Sequence, residues 1–84
     1  MALTVVVRFF AGARAAAGLA EDKVDLPDGA TVATLVSRLV EDHGPALARV
    51  LAASSFLLDE VAGGPERALH DGAQVDVLPP FAGG

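Results

Sequence analysis

An apolar stripe with helical spacing between residues 31 and 45 constrains the fold more than any other feature of the sequence. Its members recur at three- and four-residue intervals and are Val32, Leu35, Val36, Leu39 and Val40. Thr31 is a suitable N-cap, Gly44 suits the position after the last turn, and Pro45 prevents continuation. A helix with one apolar face needs another layer to cover it. The segment therefore predicts one main helix packed against a second structural layer.

The flanking segments show the two-residue alternation that is typical of strands. The odd positions of residues 3–10 form the predicted core face, whereas Val6 and Phe10 leave the other face partly apolar and open to a partner. Further strands are assigned to residues 23–26, 56–61 and 74–78. These strands supply the layer that the helix needs.

The order of the elements predicts an α+β fold. Residues 12–18 predict a short helical turn that joins the first two strands into an antiparallel hairpin, and Pro45 opens a second helical piece. A helix between strands of one sheet calls for a crossover, which is normally right-handed. The result is the β-grasp (ubiquitin-like) architecture, with a four- to five-stranded mixed sheet packed on one main helix. We assign residues 1–84 to a single domain and residues 79–84 to an extended C-terminal tail.

Composition excludes several classes of function. Eleven acidic residues stand against six basic ones, for a net charge of −5, and the arginines are dispersed. We therefore expect neither nucleic acid nor a membrane as a direct partner. The absence of cysteine excludes disulfides and thiolate chemistry. With no long apolar run and no signal-peptide pattern, we expect a cytoplasmic protein.

No residue pattern indicates a self-sufficient active site. His43 and His70 lack metal-ligand spacing, and His43 suits the carbonyls and dipole at a helix end. Asp59 and Glu60 are adjacent, so a strand would direct them to opposite faces, and in a loop they would be a solvated charge pair. We predict no metal site, no bound cofactor and no enzymatic activity for the chain on its own.

The final residues, "LPPFAGG" (78–84), contain the one feature of the sequence that indicates a reactive group. Pro79 and Pro80 favour an extended conformation that ends the last strand and projects the tail. Six residues reach roughly 20 Å, at about 3.3 Å each. Gly83 and Gly84 have no Cβ and therefore fit a narrow channel. A carboxylate on such an arm becomes reactive when ATP converts it to an acyl-adenylate. The internal "VAGG" at 61–64 has no free carboxylate and is interpreted as a loop.

Two stretches resemble a known family. "FFAGARAAAG" (9–18) and "LHDGAQVDVLPPFAGG" (69–84) are similar to the first strand and loop, and to the last strand and tail, of MoaD/ThiS sulfur carriers, in particular the small subunit of molybdopterin synthase. The double proline favours this type over the thiamine-pathway carriers. Residues 57–69 depart from the family pattern, which often has a Val-Asn turn there.

The resemblance implies a mechanism and its residues. Gly84 would be adenylated by a ubiquitin-activating-like enzyme that uses ATP, and would then carry a thiocarboxylate (1-thioglycine). The large subunit of molybdopterin synthase would receive the tail and transfer the sulfur to precursor Z, forming molybdopterin. The residues implied at partner contacts are Pro79, Pro80, Phe81, Ala82, Gly83, Phe10 and Arg14. For Phe10 and Arg14, packing within the first hairpin is the alternative.

Other functions remain open at this point. The same carrier chemistry serves thiamine synthesis, cysteine synthesis and tRNA thiolation. A ubiquitin-like protein modifier is a further alternative, although Lys23 as the sole lysine argues against branched self-conjugation. The last alternative is an interaction module whose tail has no role.

Overall fold

The computed structural model describes residues 2–80, and their fold is the predicted α+β architecture. The strands are β1 (Ala2–Phe9), β2 (Glu21–Pro27), β3 (Ser55–Leu58), β4 (Val61–Ala62) and β5 (Gln74–Leu78). The helices are α1 (Ala11–Ala17), α2 (Val32–His43) and α3 (Pro45–Ala53). The sheet order is β2-β1-β5-β3-β4. Only the β1–β5 pair of this sheet is parallel, so the sheet is mixed, as the β-grasp prediction requires.

The core lies between the helices and one face of the sheet. Alternation along β1 and β5 buries Val5, Val7, Val75 and Val77 completely. The helices contribute Leu35 and Leu39 from α2 and Leu47 from α3, which are also fully buried. The predicted core face of the first strand and the predicted apolar stripe are both confirmed.

The start of α2 is fixed by reciprocal hydrogen bonds between two threonines. The Thr34 backbone N–H donates to Thr31 Oγ1 at 3.3 Å, and the Thr31 backbone N–H donates to Thr34 Oγ1 at 3.0 Å. Such a capping box satisfies backbone donors that would otherwise have no partner in the helix. The N-cap predicted at Thr31 is therefore confirmed.

The predicted strand over residues 56–61 is wrong in its centre. β3 ends at Leu58, and Asp59 and Glu60 form a two-residue turn with φ of 48° and 70°. Positive φ at both central positions is the geometry that matches the twist of a tight hairpin. The turn returns the chain as β4, so Val61 and Ala62 of the internal "VAGG" form a strand rather than a loop.

The environment of His43 also differs from the prediction. The carbonyl of Val40 is capped by the Gly44 backbone N–H at 2.9 Å, not by the histidine. The His43 ring instead packs edge-on against Phe9, with ring centroids 6.0 Å apart, and its Nε2 lies 3.5 Å from Asp22 Oδ2. His43 thus joins the end of α2 to β1 and β2.

Candidate functional site

The base of the C-terminal tail is held at the centre of the sheet. β5 lies between β1 and β3, and it ends at Leu78, as the two prolines predict. Pro79 is buried and Pro80 is exposed. The predicted tail residues Phe81, Ala82, Gly83 and Gly84 lie outside the described residues, and their roles stay predictions.

Phe10 lies directly beside this tail base. Its backbone N–H donates to the carbonyl of Val77 at 3.3 Å, and its extended backbone forms the N-cap of α1. The Arg8 guanidinium carbon lies 5.3 Å from the centroid of the Phe10 ring, which is within the range of a cation–π contact. The ring is half-buried and remains available on the sheet surface. The structure therefore brings one predicted contact residue to the place where the tail starts.

Arg14 lies one helical turn further along α1. Its backbone N–H donates to the Phe10 carbonyl at 3.4 Å, and its own carbonyl accepts from the Gly18 N–H at 2.9 Å. The side chain is exposed and lines a shallow depression of about 420 Å³ with Leu19 and the alanines of this loop. Arg14 thus carries an exposed positive charge one helical turn from Phe10, and its contact role stays a prediction.

An ion pair on the open face of the sheet was not anticipated from the sequence. Arg8 Nε lies 2.8 Å from Asp76 Oδ1, and Arg8 Nη2 lies 3.0 Å from Asp76 Oδ2. Such two-point contact fixes the guanidinium in the plane of the carboxylate. The hydrogen bond that Arg8 donates to the Asp76 carboxylate raises the pKa of Arg8. The Asp76 side chain is 6% exposed and that of Arg8 is 41% exposed, so the arginine covers the acid. The ion pair also keeps the Arg8 guanidinium in contact with the Phe10 ring.

The alternation of the strands predicts the face on which Arg8 and Asp76 lie, but it does not predict that the two side chains meet. Arg8 falls between Val7 and Phe9, and Asp76 falls between Val75 and Val77, so each is assigned to the open face of its own strand. Their contact depends on the parallel register that places Arg8 opposite Asp76. Periodicity within one strand assigns each residue to a face but does not specify which same-face residue of another strand lies opposite it.

A second polar cluster fixes the turn before β5. Asp59 Oδ1 accepts from the Gln74 backbone N–H at 3.0 Å, and Asp59 Oδ2 lies 2.6 Å from His70 Nε2. The hydrogen bond from Gln74 and the contact with His70 lower the pKa of Asp59, and Asp59 raises the pKa of His70. Asp59 and Glu60 are both exposed in the turn, in agreement with the loop alternative, and Asp59 in addition contacts His70.

Residues 2–80 contain no group of three histidine, aspartate or glutamate side chains arranged to hold a metal ion. In the same part of the chain, no helix combines the length and the apolar character needed to cross a bilayer. The features that converge near the tail base are Phe10, Arg8, Asp76 and the end of β5. We treat them as a candidate recognition surface, and this role stays a prediction.

The fold is a β-grasp domain with a candidate recognition surface at the root of its C-terminal segment. Residues 7–84 match the ThiS family, and the chain belongs to that family. It is 34% identical to the molybdopterin synthase sulfur carrier subunit of Chlamydomonas reinhardtii, over 98% of this chain and 100% of that protein.

Solved structures show the same fold. SAMP1 from Haloferax volcanii is 28% identical, with a TM-score of 0.86 over 96% of this chain and 99% of that one. Subunit 1 in the complex of subunits 1 and 2 of molybdopterin-converting factor from Helicobacter pylori has this fold as well. That comparison has 23% identity and a TM-score of 0.64, and it covers 98% of this chain and 100% of the compared one.

Proposed function

We propose that this protein is a sulfur carrier of the molybdopterin synthase small-subunit type. The observation that carries the proposal is the match to the ThiS family, which extends through the final Gly-Gly to Gly84. The full-length similarity to the algal sulfur carrier subunit supports the molybdopterin assignment over other sulfur pathways. The chain supplies the carried group and the recognition surface, and its partners supply the catalysis.

The proposed chemistry takes place at the carboxylate of Gly84. One carboxylate oxygen attacks the α-phosphorus of ATP, pyrophosphate leaves, and an acyl-adenylate forms. Hydrosulfide supplied by a sulfur donor then attacks the acyl carbon and displaces AMP. The product is a thiocarboxylate, whose sulfur attacks the acceptor substrate in the next step. ATP is used by the activating enzyme and is not a cofactor of this chain.

Two protein partners follow from this sequence of steps. An adenylating enzyme of the ubiquitin-activating type charges Gly84, and the large subunit of molybdopterin synthase receives the charged tail. The complex of subunits 1 and 2 in the Helicobacter pylori relative supports the second partner. Phe10, at the tail base, and Arg14, one turn further, are proposed contacts, together with residues 79–83. The cytoplasm remains the predicted compartment, to be checked by fractionation of the native host.

The test is the intact mass of the protein, incubated with ATP, its adenylating enzyme and a sulfur donor. We expect a mass increase that matches replacement of one oxygen by sulfur, located at Gly84 by fragmentation. In Gly84→Ala, we expect an unchanged melting temperature and loss of charging, because a Cβ obstructs the narrow channel. The matched control is Gly64→Ala in the internal "AGG", where a new Cβ would meet only the flexible carboxylate of Glu66. If the wild-type chain stays unmodified in the complete mixture, the carrier proposal is wrong.

A second candidate is a ubiquitin-like protein modifier, and the similarity to SAMP1 favours it. Both functions begin with the same acyl-adenylate but differ in the nucleophile, which is a lysine amine for the modifier. Tryptic peptides from the native host distinguish them. Lysines carrying the C-terminal remnant of this chain would support the modifier, and a thiocarboxylate without such conjugates supports the carrier.

A further inference from the structure

The position of β5 along β1 sets where the C-terminal tail leaves the sheet. The two strands are parallel, and their register runs from Val6 opposite Gln74 to Phe9 opposite Val77. A shift of β5 by two residues along β1 would move the root of the tail by about 6.6 Å, at about 3.3 Å per residue. The tail itself reaches only roughly 20 Å. The register at the end of β5 therefore decides how far the tail projects from the sheet.

Apolar burial selects the face of β5 but does not fully select its register. The inward-facing residues of this segment are all apolar and buried, and they are Ala73, Val75, Val77 and Pro79. A shift by one residue would bring Gln74 and Asp76 into the core, and the cost of burying their polar groups there excludes it. A shift by two residues keeps an apolar side chain at each inward position. The core consequently discriminates only weakly between registers that are two residues apart.

Most polar contacts between β1 and this segment do not select the register either. The Val6 backbone N–H donates to the Ala73 carbonyl at 2.9 Å, and the Thr4 backbone N–H donates to Asp71 Oδ1 at 2.8 Å. Both contacts use a backbone group of β1, and equivalent groups recur every two residues along a strand. Contacts of this kind can form again after a shift by two residues.

The Arg8–Asp76 pair is different, because both of its partners are side chains. Within residues 2–80, it is the one hydrogen-bonded side-chain pair that joins β1 to β5. A shift by two residues would place Gln74 or Leu78 opposite Arg8 and would remove Asp76 from the bidentate geometry. In the same part of the chain Asp76 is the only buried charged residue, so the shift would leave a buried carboxylate without its cation.

The other side-chain tie of this segment lies further from the tail. Asp59 contacts His70, which precedes β5, and both side chains are about half exposed or more, at 47% and 62%. This contact holds the turn before the strand. The Arg8–Asp76 pair acts three residues before Pro79, where the tail begins.

We propose that Arg8 and Asp76 are positioning residues, which fix the register at the end of β5 and thereby fix the reach of Gly84. The inference rests on the proposed sulfur-carrier function, because only a reactive terminus requires a fixed reach. Buried ion pairs add little net stability compared with apolar residues of similar volume, and their best-attested use is to specify register. A reacting group misplaced by about 1 Å can react about a hundredfold more slowly, so a tail displaced by about 6.6 Å would be unproductive.

The test replaces both charged residues with leucine in the full-length chain. Arg8→Leu/Asp76→Leu leaves no unpaired charge and supplies apolar volume, so its melting temperature should not fall. We expect β5 amide resonances from more than one register. The native set is identified by the scalar coupling across the hydrogen bond from the Val6 nitrogen to the Ala73 carbonyl carbon.

Charging of the variant by ATP, the adenylating enzyme and a sulfur donor should have a kcat that is lower by about two- to threefold, with KM unchanged. A native register that shares the population with one or two shifted registers of similar free energy gives this factor. KM stays constant because β1 and the surface around Phe10 are not altered. The fall in kcat should equal the loss of native-register population measured by NMR.

Thr4→Val/Asp25→Val is the matched control. It removes another side-chain pair on the same face, in which Thr4 Oγ1 lies 2.7 Å from Asp25 Oδ1, but this pair joins β1 to β2 and not to β5. The control should keep a single register and full kcat.

Three results would overturn the positioning role. They are a single native register with full kcat in the leucine variant, a lower kcat without any shifted register, and a raised KM with unchanged kcat. The last result would mean that Arg8 contacts the partner directly. A wild-type chain that is never charged would refute the carrier function instead, and the NMR comparison, which needs no partner, would still decide whether the pair fixes the register.

Discussion

The two faces of the sheet are built from the same strands but have different roles. The helix-covered face is made of aliphatic side chains such as Val5, Val7 and Val75, all fully buried. The open face carries Val6, Phe10 and the Arg8–Asp76 pair, most of it partly exposed. Burial of apolar area is the dominant favourable contribution to folding. The covered face therefore supplies most of the stability and leaves the open face available for the recognition role that we propose at the tail base.

The largest expected effect is on the covered face. Leu35→Ala should lower the free energy of unfolding by about 2–5 kcal/mol, because it leaves a cavity between α2 and the sheet. Urea unfolding measures this, with Ser37→Ala at an exposed position of the same helix as the control. A loss below that range would mean that the covered face is not the main source of stability.

The next effect tests the open face. Asp76→Asn should cost about 1–3 kcal/mol, less than Leu35→Ala, because Arg8 keeps access to water after losing its partner. In a double-mutant cycle, Arg8→Met should add little further loss to Asp76→Asn, since the two side chains act as a unit. Additive losses in the cycle would show that the ion pair contributes nothing as a pair.

A smaller effect concerns the start of the helix that covers the core. Thr31→Ala should reduce the free energy of unfolding by about 1 kcal/mol, because the Thr34 N–H loses its acceptor. Thermal unfolding provides the measurement, and Thr31→Ser, which keeps the hydroxyl, should retain most of the stability. Equal losses in the two variants would assign the effect to the methyl group and not to the cap.

The smallest effect is the pH dependence of the exposed Asp59–His70 pair at the rim of the sheet. Because the folded pKa of His70 is raised, its contribution is present below the unfolded value of about 6.5 and is lost as pH rises through the folded value. Because the folded pKa of Asp59 is lowered, its contribution is present above about 3.9 and is lost as pH falls through the folded value.

The pair should therefore contribute most between about pH 4 and pH 6.5. The difference in melting temperature between wild type and His70→Gln should be largest in that window and shrink as the pH rises through the folded pKa of His70. A pH-independent difference would show that the neutral hydrogen bonds of His70 matter and its charge does not.

The sequence alone determined those features that arise from local periodicity and chemistry. The stripe on α2, its cap at Thr31, the alternation of β1 and the end of β5 before Pro79 were all predicted and confirmed. The Gly-Gly ending and the stretches at 9–18 and 69–84 also indicated the family. Each of these signals lies within a few neighbouring residues, so the chain displays it without being folded.

Only the tertiary structure decided which strands meet and in what register. The Arg8–Asp76 pair depends on the parallel β1–β5 alignment. The turn at Asp59 and Glu60 was misassigned because positive φ at two residues other than glycine is a conformation that tertiary contacts select, here through Gln74 and His70. Contacts between distant segments depend on the packing of the whole core, which no local pattern encodes.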